Sequence, residues 1–393
     1  MESRIEARED RTGALGAEIE AALRAIRALA RPRMTGTPGA AEVGAWLRRA
    51  FEELGYEVKD LPFTFSTWPG RYGVPAIGVL TLCGLGAATY GLASSRPVFA
   101  LIALGGLALA AGLAALVARR AIAGLPLGRV QGTNLLAHRP GAQPRYLITA
   151  HLDSKSQPIS TFLRIAAIVL VGFAWSALLA VAAIGLYDTA LISLPLVLST
   201  GALGGVGGAL LTSSVAGNAS PGALDNATGL AALLGIARRQ QHHGDVAFLV
   251  TDAEELGLAG AWDAARRLPP LEGIINLDGL DDEGEFRITE RIGAARGRVL
   301  APHLAAALLA SAEAMGESVE RRDLPAGILV DHIPFGRAGL PALTLLRGTA
   351  RSLLRVHRRS DAADRLTGRG VALTVSLVSG ALDRLRERRS RTV

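Results

Sequence analysis

The chain is organised around the stretch Leu249-Val-Thr-Asp-Ala-Glu-Glu-Leu-Gly-Leu-Ala-Gly260. It begins as an apolar run rich in strand-forming residues, stops at the adjacent carboxylates of Glu254 and Glu255, and turns through glycine into a predicted helix. Two neighbouring acids at the end of a strand are most often part of a solvated loop. This pair indicates a site because four further acidic or imidazole positions stand beside apolar runs of their own.

Apolar runs alternate with helical patterns on both sides of this stretch. The predicted strands are residues 133–138, 145–150, 246–251, 273–278 and 341–346. The predicted helices are residues 15–30, 40–54, 226–240, 256–267, 302–315 and 370–386. Strands that alternate with helices form mostly parallel sheets covered on both faces. The sequence therefore predicts an α/β fold, a three-layer sandwich around a mostly parallel mixed sheet.

Four long apolar segments distinguish this chain from an ordinary soluble domain. Residues 74–94, 98–118, 165–187 and 190–212 contain no charged side chain. Each has about the ~20 residues that a helix needs to cross a bilayer. Buried soluble helices are the alternative, but two pairs of such segments, turning at Arg96 and Asp188, favour transmembrane hairpins. The predicted domains are a polar domain of residues 1–70, 121–160 and 213–393, a first hairpin of residues 71–120, and a second of residues 161–212.

Arginines beside the spans predict their orientation. The flanks on the side of the polar domain carry Arg71, Arg119, Arg120, Arg129 and Arg164. The two hairpin turns carry Arg96 alone. Basic residues accumulate on the cytoplasmic side of membrane proteins, so the polar domain and both termini are expected in the cytoplasm.

The last apolar segment is rich in glycine. Gly201, Gly204, Gly205 and Gly208 form two overlapping GxxxG patterns. Such patterns either allow close packing of membrane helices or mark flexible turns. No span contains an Asp, Glu, Lys, Arg or His, which argues against a transporter.

Composition limits the possible partners. The net charge of +7 comes from arginines spread along the chain, without interleaved aromatic residues. Nucleic-acid binding is therefore not expected, and the lipid bilayer with its anionic head groups is the predicted partner. The single cysteine, Cys83, excludes a disulfide within the chain and a cysteine-based zinc site.

Histidines and acids follow several predicted strands. His151 and Asp153 come directly after the strand 145–150, and Asp278 ends the strand 273–278. Asp225 precedes a predicted helix, where it could also be a simple N-cap, and His357 lies near the C-terminus. His151 and Asp225 are 74 positions apart, but removing the 52-residue block 161–212 leaves 22. The second hairpin therefore resembles an insertion into an older loop.

These positions form an inventory that suits metal chemistry. They comprise two histidines and three carboxylates, with one glutamate of the pair Glu254-Glu255 to spare. Such a set suits two zinc ions bridged by a carboxylate, with the spare acid as general base. Ser154 and Ser360 have no paired base, so covalent catalysis is not expected. The acids Asp281, Asp282, Glu283 and Glu285 resemble an exposed hairpin turn.

The motifs HLD at 151, LDN at 224, EELG at 254, NLD at 276 and VH at 356 together resemble the co-catalytic di-zinc aminopeptidases. This is the metallopeptidase family of aminopeptidase S, aminopeptidase Y and glutamate carboxypeptidase. The segments 33–36, 54–58, 331–335 and 339–342 also resemble the family. The resemblance covers about residues 15–70 and 130–385 and implies a zinc exopeptidase acting on peptides. The two predicted hairpins depart from the family pattern and would anchor the enzyme in the membrane.

The resemblance also implies a metal-binding role for five residues. Asp225 would bridge two zinc ions. His151 and Asp278 would complete one site, and Glu255 and His357 the other.

Two further residues receive catalytic roles from the resemblance. Glu254 would be the general base, moving a proton from the water between the metals to the leaving amine. Asp153 would orient His151. The peptide bond between Asp225 and Asn226 would be cis, and His332 would lie near the metals.

Two other functions remain open. Glutaminyl cyclases are acyltransferases related to this family and carry a loop like Asp331-His-Ile-Pro-Phe335. A non-catalytic membrane scaffold is the second, since relatives of the fold serve as receptors after losing ligands, although no ligand is lost here. The preferred N-terminal residue and the oligomeric state are not indicated by the sequence.

Overall fold

The computed structural model describes residues 2–292, 298–324 and 328–391. The chain forms two compact units. The first contains residues 1–64, 130–156 and 218–393, and the second contains residues 65–129 and 157–217. Each unit therefore draws on separate stretches of the sequence.

Helices and strands alternate along much of the chain. The helices are α1 (Glu2–Leu29), α2 (Pro38–Glu53), α3 (Trp68–Ala93), α4 (Pro97–Gly124), α5 (Thr161–Tyr187), α6 (Leu194–Thr212), α7 (Thr228–Arg239), α8 (Ala259–Arg267), α9 (Pro302–Met315), α10 (His332–Arg337), α11 (Ser352–Arg355) and α12 (Arg369–Ser390). The strands are β1 (Glu57–Ser66), β2 (Arg129–His138), β3 (Tyr146–His151), β4 (Val246–Thr251), β5 (Gly273–Leu280), β6 (Glu285–Thr289), β7 (Arg291–Ile292), β8 (Arg298–Val299), β9 (Val319–Arg321) and β10 (Ala342–Gly348).

The described residues form an eight-stranded sheet in the order β1-β2-β4-β3-β5-β10-β6-β9. Its central strands β4, β3, β5 and β10 are parallel, whereas β2 and β6 pair antiparallel with their neighbours β4 and β10. The predicted α/β fold with a mostly parallel mixed sheet is confirmed. Parallel neighbours bring their carboxyl ends to one edge of the sheet, where α/β folds bind ligands.

The central strands are buried on both faces. Successive side chains of a strand point to opposite faces, so Ile148 of β3 packs in one core cluster and Leu147 in another. The first cluster includes Leu233 of α7 and Leu382 of α12, and the second includes Phe335 of α10. Helices therefore cover both faces of the sheet, as in a three-layer sandwich.

The prediction of an exposed hairpin turn at residues 281–285 is wrong in part. Strands β5 and β6 are not neighbours, because β10 lies between them in the sheet. Asp281 is buried, and its carboxylate accepts hydrogen bonds from the Ser352 hydroxyl and the Arg355 guanidinium, each at 2.6 Å. One acid of this run, Asp281, is therefore a buried structural carboxylate that connects the end of β5 to α11 by hydrogen bonds.

Helices α3, α4, α5 and α6 belong to the second unit and form the two predicted hairpins. All four are long and apolar enough to cross a membrane, over Trp68–Ala93, Pro97–Ala118, Thr161–Tyr187 and Leu194–Thr212. Apolar side chains remain exposed along them, including Ile102 and Leu116 of α4.

Three of the five α6 glycines pack closely against α3. A Cβ atom at Gly201 would lie 2.4 Å from the Thr89 hydroxyl, and one at Gly204 would lie 2.6 Å from Leu85, both residues of α3. At Gly208 the nearest atom would be in Leu82, 3.0 Å away. Gly205 has nothing within 4 Å. The packing interpretation of the glycines therefore holds at these three positions, because small residues let the two helices approach.

Candidate metal centre

Three neighbouring parallel strands deliver four of the predicted site residues to the same edge of the sheet. His151 is the last residue of β3, and Asp278 lies near the end of β5. Glu254 and Glu255 follow β4 after a short turn. Asp225 comes from the turn before α7, where its peptide bond to Asn226 is cis, as predicted.

These residues form two groups that share Asp225. Ligand atoms of His151, Asp225 and Asp278 lie within 4.8 Å of one another, and so do those of Asp225, Glu255 and His357. In the first group His151 Nε2 lies 3.0 Å from Asp225 Oδ1 and 3.8 Å from Asp278 Oδ1. In the second group His357 Nε2 lies 3.0 Å from Asp225 Oδ2 and 3.0 Å from Glu255 Oε1. Asp225 thus directs one oxygen to each group.

Each group contains a buried atom whose hydrogen-bonding capacity is unused. His151 Nε2 and Glu255 Oε1 have no hydrogen-bond partner among the described residues, although both lie close to other polar atoms. Buried polar atoms are normally paired, so an orphaned imidazole nitrogen and carboxylate oxygen indicate a missing partner that accepts electron pairs. Imidazole nitrogens and carboxylate oxygens are the donors that zinc takes when cysteine is absent. The residues present therefore fit zinc.

Electrostatics also favour a cation at this place. Burial opposes protonation of His151, but the carboxylates of Asp153, Asp225 and Asp278 outweigh it and raise its pKa well above the usual range. Burial opposes ionisation of Asp225, but His151 and His357 outweigh it and hold its pKa well below the usual range. The imidazoles and carboxylates are thus in strong mutual contact. A divalent cation would relieve the excess of buried negative charge.

Asp153 supports the glutamate pair through the backbone. Its carboxylate accepts hydrogen bonds from the backbone N–H of Glu254 at 3.0 Å and of Glu255 at 3.1 Å. Its Oδ1 lies 3.6 Å from Nδ1 of His151, while that nitrogen is 3.0 Å from the backbone oxygen of Asp153. Asp153 therefore contacts both the predicted base and a predicted ligand.

Arg33 is a residue whose contribution to the site the sequence analysis missed. It is fully buried, and its guanidinium donates to the backbone oxygens of Leu152 at 2.6 Å, Pro221 at 2.6 Å and Gly222 at 2.9 Å. Burial lowers its pKa to about 10. Arg33 thus joins the segment that carries His151 to the segment that carries Asp225. The only sequence feature that pointed to Arg33 was its place at the start of the segment 33–36 (RMTG), which resembles the family.

Asp361 was missed as well. Its carboxylate accepts hydrogen bonds from the backbone N–H of Leu224 at 2.7 Å and of Asp225 at 3.2 Å. It is buried and lies four positions after His357. Burial raises its pKa to about 6. Asp361 thus holds the turn that presents Asp225.

Backbone conformation is unusual at two positions of the site. Ala253, directly before Glu254, has a φ of 57°, and His357 has a φ of 64°. Residues other than glycine rarely adopt this left-handed region, and such residues cluster at functional sites. The fold holds the glutamate pair and the second histidine in orientations that an unconstrained chain would avoid.

His332 and Asp331 lie in a buried polar network. Nδ1 of His332 is 2.8 Å from the Thr344 hydroxyl, and burial lowers its pKa to about 4. Asp331 accepts a hydrogen bond from the Thr251 hydroxyl, and burial raises its pKa to about 7. His332 does not take part in either ligand group.

Solved structures with the same fold include peptidases and cyclases. The aminopeptidase from Aneurinibacillus sp. strain AM-1 superposes with a TM-score of 0.55 at 15% identity, covering 93% of each chain. BSAP, a zinc aminopeptidase from Bacillus subtilis, gives a TM-score of 0.55 at 14% identity over 93% of this chain and 95% of its own. The glutaminyl cyclase of Porphyromonas gingivalis gives 0.54 at 15% identity over 93% of this chain and 98% of its own. At these identities the likeness establishes the fold.

Sequence comparison identifies the family. A search of curated protein sequences finds no match. The model of peptidase family M28 matches residues 134–380, more than half of the chain. The matched segment includes every residue of the two ligand groups. The resemblance predicted from the motifs is confirmed, and the chain belongs to peptidase family M28.

Proposed function

We propose that this protein is a membrane-anchored, zinc-dependent aminopeptidase that hydrolyses the N-terminal peptide bond of its substrates. The observation that carries the proposal is the pair of ligand groups sharing Asp225, with one imidazole in each. In the proposed centre His151, Asp225 and Asp278 would hold one zinc ion. Asp225, Glu255 and His357 would hold a second. Two complete groups argue against a scaffold that has lost its ligands.

Glu254 is the proposed general base. Bound zinc would polarise the scissile carbonyl and increase the acidity of the attacking water. The Glu254 carboxylate takes a proton from that water and passes it to the nitrogen of the leaving amine. Burial raises the pKa of Glu254 well above its usual range. A raised pKa suits a carboxyl group that both accepts and releases a proton near neutral pH.

Glu255, the adjacent acid, is in the opposite situation. Burial would raise its pKa, but His357 and Lys155 outweigh burial and lower it. Two carboxyl groups whose surroundings drive their pKa values apart can take separate roles. This contrast supports Glu254 as the base and Glu255 as the metal ligand. The Asp153 carboxylate accepts hydrogen bonds from the backbone N–H groups of both glutamates. Asp153 is therefore proposed to position the pair and to orient His151.

The four apolar helices are proposed to anchor the enzyme in the bilayer. In this proposal residues 1–70, 121–160 and 213–393 form the catalytic domain, and the hairpins 71–120 and 161–212 cross the membrane. The catalytic domain and both termini are proposed to lie in the cytoplasm, a proposal supported by the arginines that flank the spans and the positive-inside rule. Peptides are the substrates, and the bilayer is the partner.

Metal analysis and hydrolysis of aminoacyl anilides test the proposal. The purified full-length protein should contain zinc at close to two ions per chain, and chelation should abolish hydrolysis until zinc is restored. Glu254→Gln should keep the zinc but lose about 10²–10⁴-fold in kcat, the contribution typical of general-base catalysis. Protein without metal would refute the proposed centre. Loss of zinc in the Glu254→Gln variant would show that the roles of the two glutamates are exchanged.

A glutaminyl cyclase is the second candidate function. The loop Asp331–Phe335 and the structural likeness to glutaminyl cyclases favour it. Mass spectrometry of a peptide that begins with glutamine separates the two reactions. An aminopeptidase removes the first residue, whereas a cyclase releases ammonia and leaves the peptide length unchanged. Ammonia release without residue removal would replace the peptidase proposal by the cyclase.

A further inference from the structure

Lys155 lies against the predicted metal ligand Glu255. Its Nζ atom is 2.6 Å from Glu255 Oε2 and donates at 3.4 Å to the Glu255 backbone oxygen. The Lys155 side chain is 13% exposed, and that of Glu255 is 3% exposed. This is therefore a largely desolvated ion pair, in which charge interactions are stronger than at a surface.

The two oxygens of Glu255 have different surroundings. Oε1 lies 3.0 Å from Nε2 of His357 and has no hydrogen-bond partner among the described residues. Oε2 is the oxygen that contacts the ammonium of Lys155. One oxygen is thus free to bind a cation, and the other is already neutralised.

We propose that Lys155 is a positioning residue that restricts Glu255 to one metal-binding oxygen and weakens the hold of the Asp225–Glu255–His357 group on its zinc ion. The inference rests on the proposed function, because it assumes the proposed metal centre. A fixed positive charge beside the ligand lowers the attraction of the group for a cation. Blocking Oε2 also prevents the carboxylate from chelating the ion through both oxygens.

The other ligand group differs in this respect. In the part of the chain that the structure describes, the only ion pair of Asp278 is with His151, at 3.8 Å. The two zinc sites should therefore differ in affinity. The site built on His151 and Asp278 is expected to be the tighter one, and the site beside Lys155 the more readily exchanged.

The choice of lysine fits this role. Lys155 is one of only two lysines among the 42 basic residues, the other being the exposed Lys59 of β1. An ammonium is a compact point charge that can occupy one carboxylate oxygen. A guanidinium is a planar fork that tends to engage both oxygens. An arginine at this position would therefore compete with the metal for Oε1.

Zinc affinity measured by chelator competition tests the inference. Full-length protein in detergent is stripped of metal and titrated with zinc, as the native sequence and as Lys155→Met, Lys155→Gln and Lys155→Arg variants. The native protein should show two affinities. Lys155→Met and Lys155→Gln should tighten the weaker site by about 10–100-fold, the order expected from removing a unit positive charge a few ångströms from a buried cation site. Lys155→Arg should not tighten it.

Lys59→Met is the matched control, because it removes the other lysine from an exposed position, and it should leave both affinities unchanged. X-ray absorption at the zinc edge gives a second readout, in which Lys155→Met should raise the mean number of zinc ligands. Native protein that binds no zinc would overturn the proposed function. Native protein that binds two zinc ions, with neither neutral variant binding more tightly, would overturn the role of Lys155 alone.

Discussion

Two buried carboxylates accept hydrogen bonds from backbone N–H groups and so hold the candidate ligands in place. Asp153 binds the amides of Glu254 and Glu255, and Asp361 binds the amides of Leu224 and Asp225. Hydrogen bonds to a charged acceptor are about twice as strong as neutral ones, so each carboxylate fixes a turn that would otherwise be free to move. Residues that support metal ligands in this way can matter nearly as much as the ligands.

The Asp361→Ala variant should lower zinc affinity by about 10–100-fold, because the turn that carries Asp225 loses two charge-assisted hydrogen bonds. Chelator competition on the stripped protein measures the effect. Asp364→Ala is the control, since it removes an exposed acid three positions away and should leave the affinity unchanged. Equal zinc affinity in the two variants would contradict the role given to Asp361.

His332 should make the protein less stable in acid. Its pKa is about 4 in the folded chain because it is buried, against 6.5 when unfolded. The unfolded state therefore binds the proton more readily, and stability present above pH 6.5 is lost as the pH falls toward 4. The full contribution is about 3 kcal/mol. Thermal unfolding of the native protein and of His332→Gln from pH 4 to 8 measures it. The difference in stability between the two should shift in favour of the variant below pH 6.5, and a difference that stays constant would refute the prediction.

Residue types together with the family resemblance predicted which side chains the fold brings together in the two groups, but not the residues that support them. His151, Asp225 and His357 stand at the ends of recognisable elements and belong to residue types that bind zinc. Arg33 and Asp361 act on backbone atoms, and no sequence pattern tells which carbonyl or amide a buried charge will meet. Their partners are known only once the turns have been placed by the fold.

At the scale of elements, the predicted ends of the apolar helices differ from the observed ends. The prediction limited each helix to a segment without charged residues. Helix α3 begins at Trp68, before the predicted residue 74, and α4 continues to Gly124, past the predicted residue 118. Arginine is a good helix former, so a helix does not end where its apolar segment ends. Helix α6 begins at Leu194 because Pro195 is favoured in the first turn of a helix. The false hairpin at residues 281–285 arose because β10, which lies between β5 and β6, comes from far along the chain.

Contact between α3 and α6 should depend on Gly78. A Cβ atom there would lie 2.4 Å from the Thr212 backbone nitrogen and 2.8 Å from the Gly208 backbone oxygen. Gly78→Leu should therefore destabilise the helix pair by about 1–3 kcal/mol, the usual cost of overpacking. Unfolding by titration with sodium dodecyl sulfate measures the change. Gly86→Leu on the same helix is the control, since nothing lies within 4 Å of that position. Equal effects of the two substitutions would contradict a close contact at Gly78.

At the scale of the whole molecule, the sequence divides its charge and its apolar surface between different segments. The four uncharged spans lie in residues 65–129 and 157–217, whereas every candidate metal ligand lies in the other unit. The proposed bilayer anchor would therefore carry no Asp, Glu, Lys, Arg or His side chain within these spans. The orientation proposed for this anchor rests on the arginines at the ends of the spans.

Thiol labelling in spheroplasts tests this orientation. Cys83 is the only cysteine, so a Cys83→Ala background allows single thiols to be introduced at exposed serines. Ser94→Cys places one in the turn between α3 and α4, and Ser318→Cys places one between α9 and β9. A membrane-impermeant maleimide should label Ser94→Cys in intact spheroplasts and Ser318→Cys only after permeabilisation, because the arginine-rich flanks keep the catalytic domain inside. The reverse pattern would place the proposed metal centre outside the cell. Labelling of both positions in intact spheroplasts would contradict the proposal that these helices span the membrane.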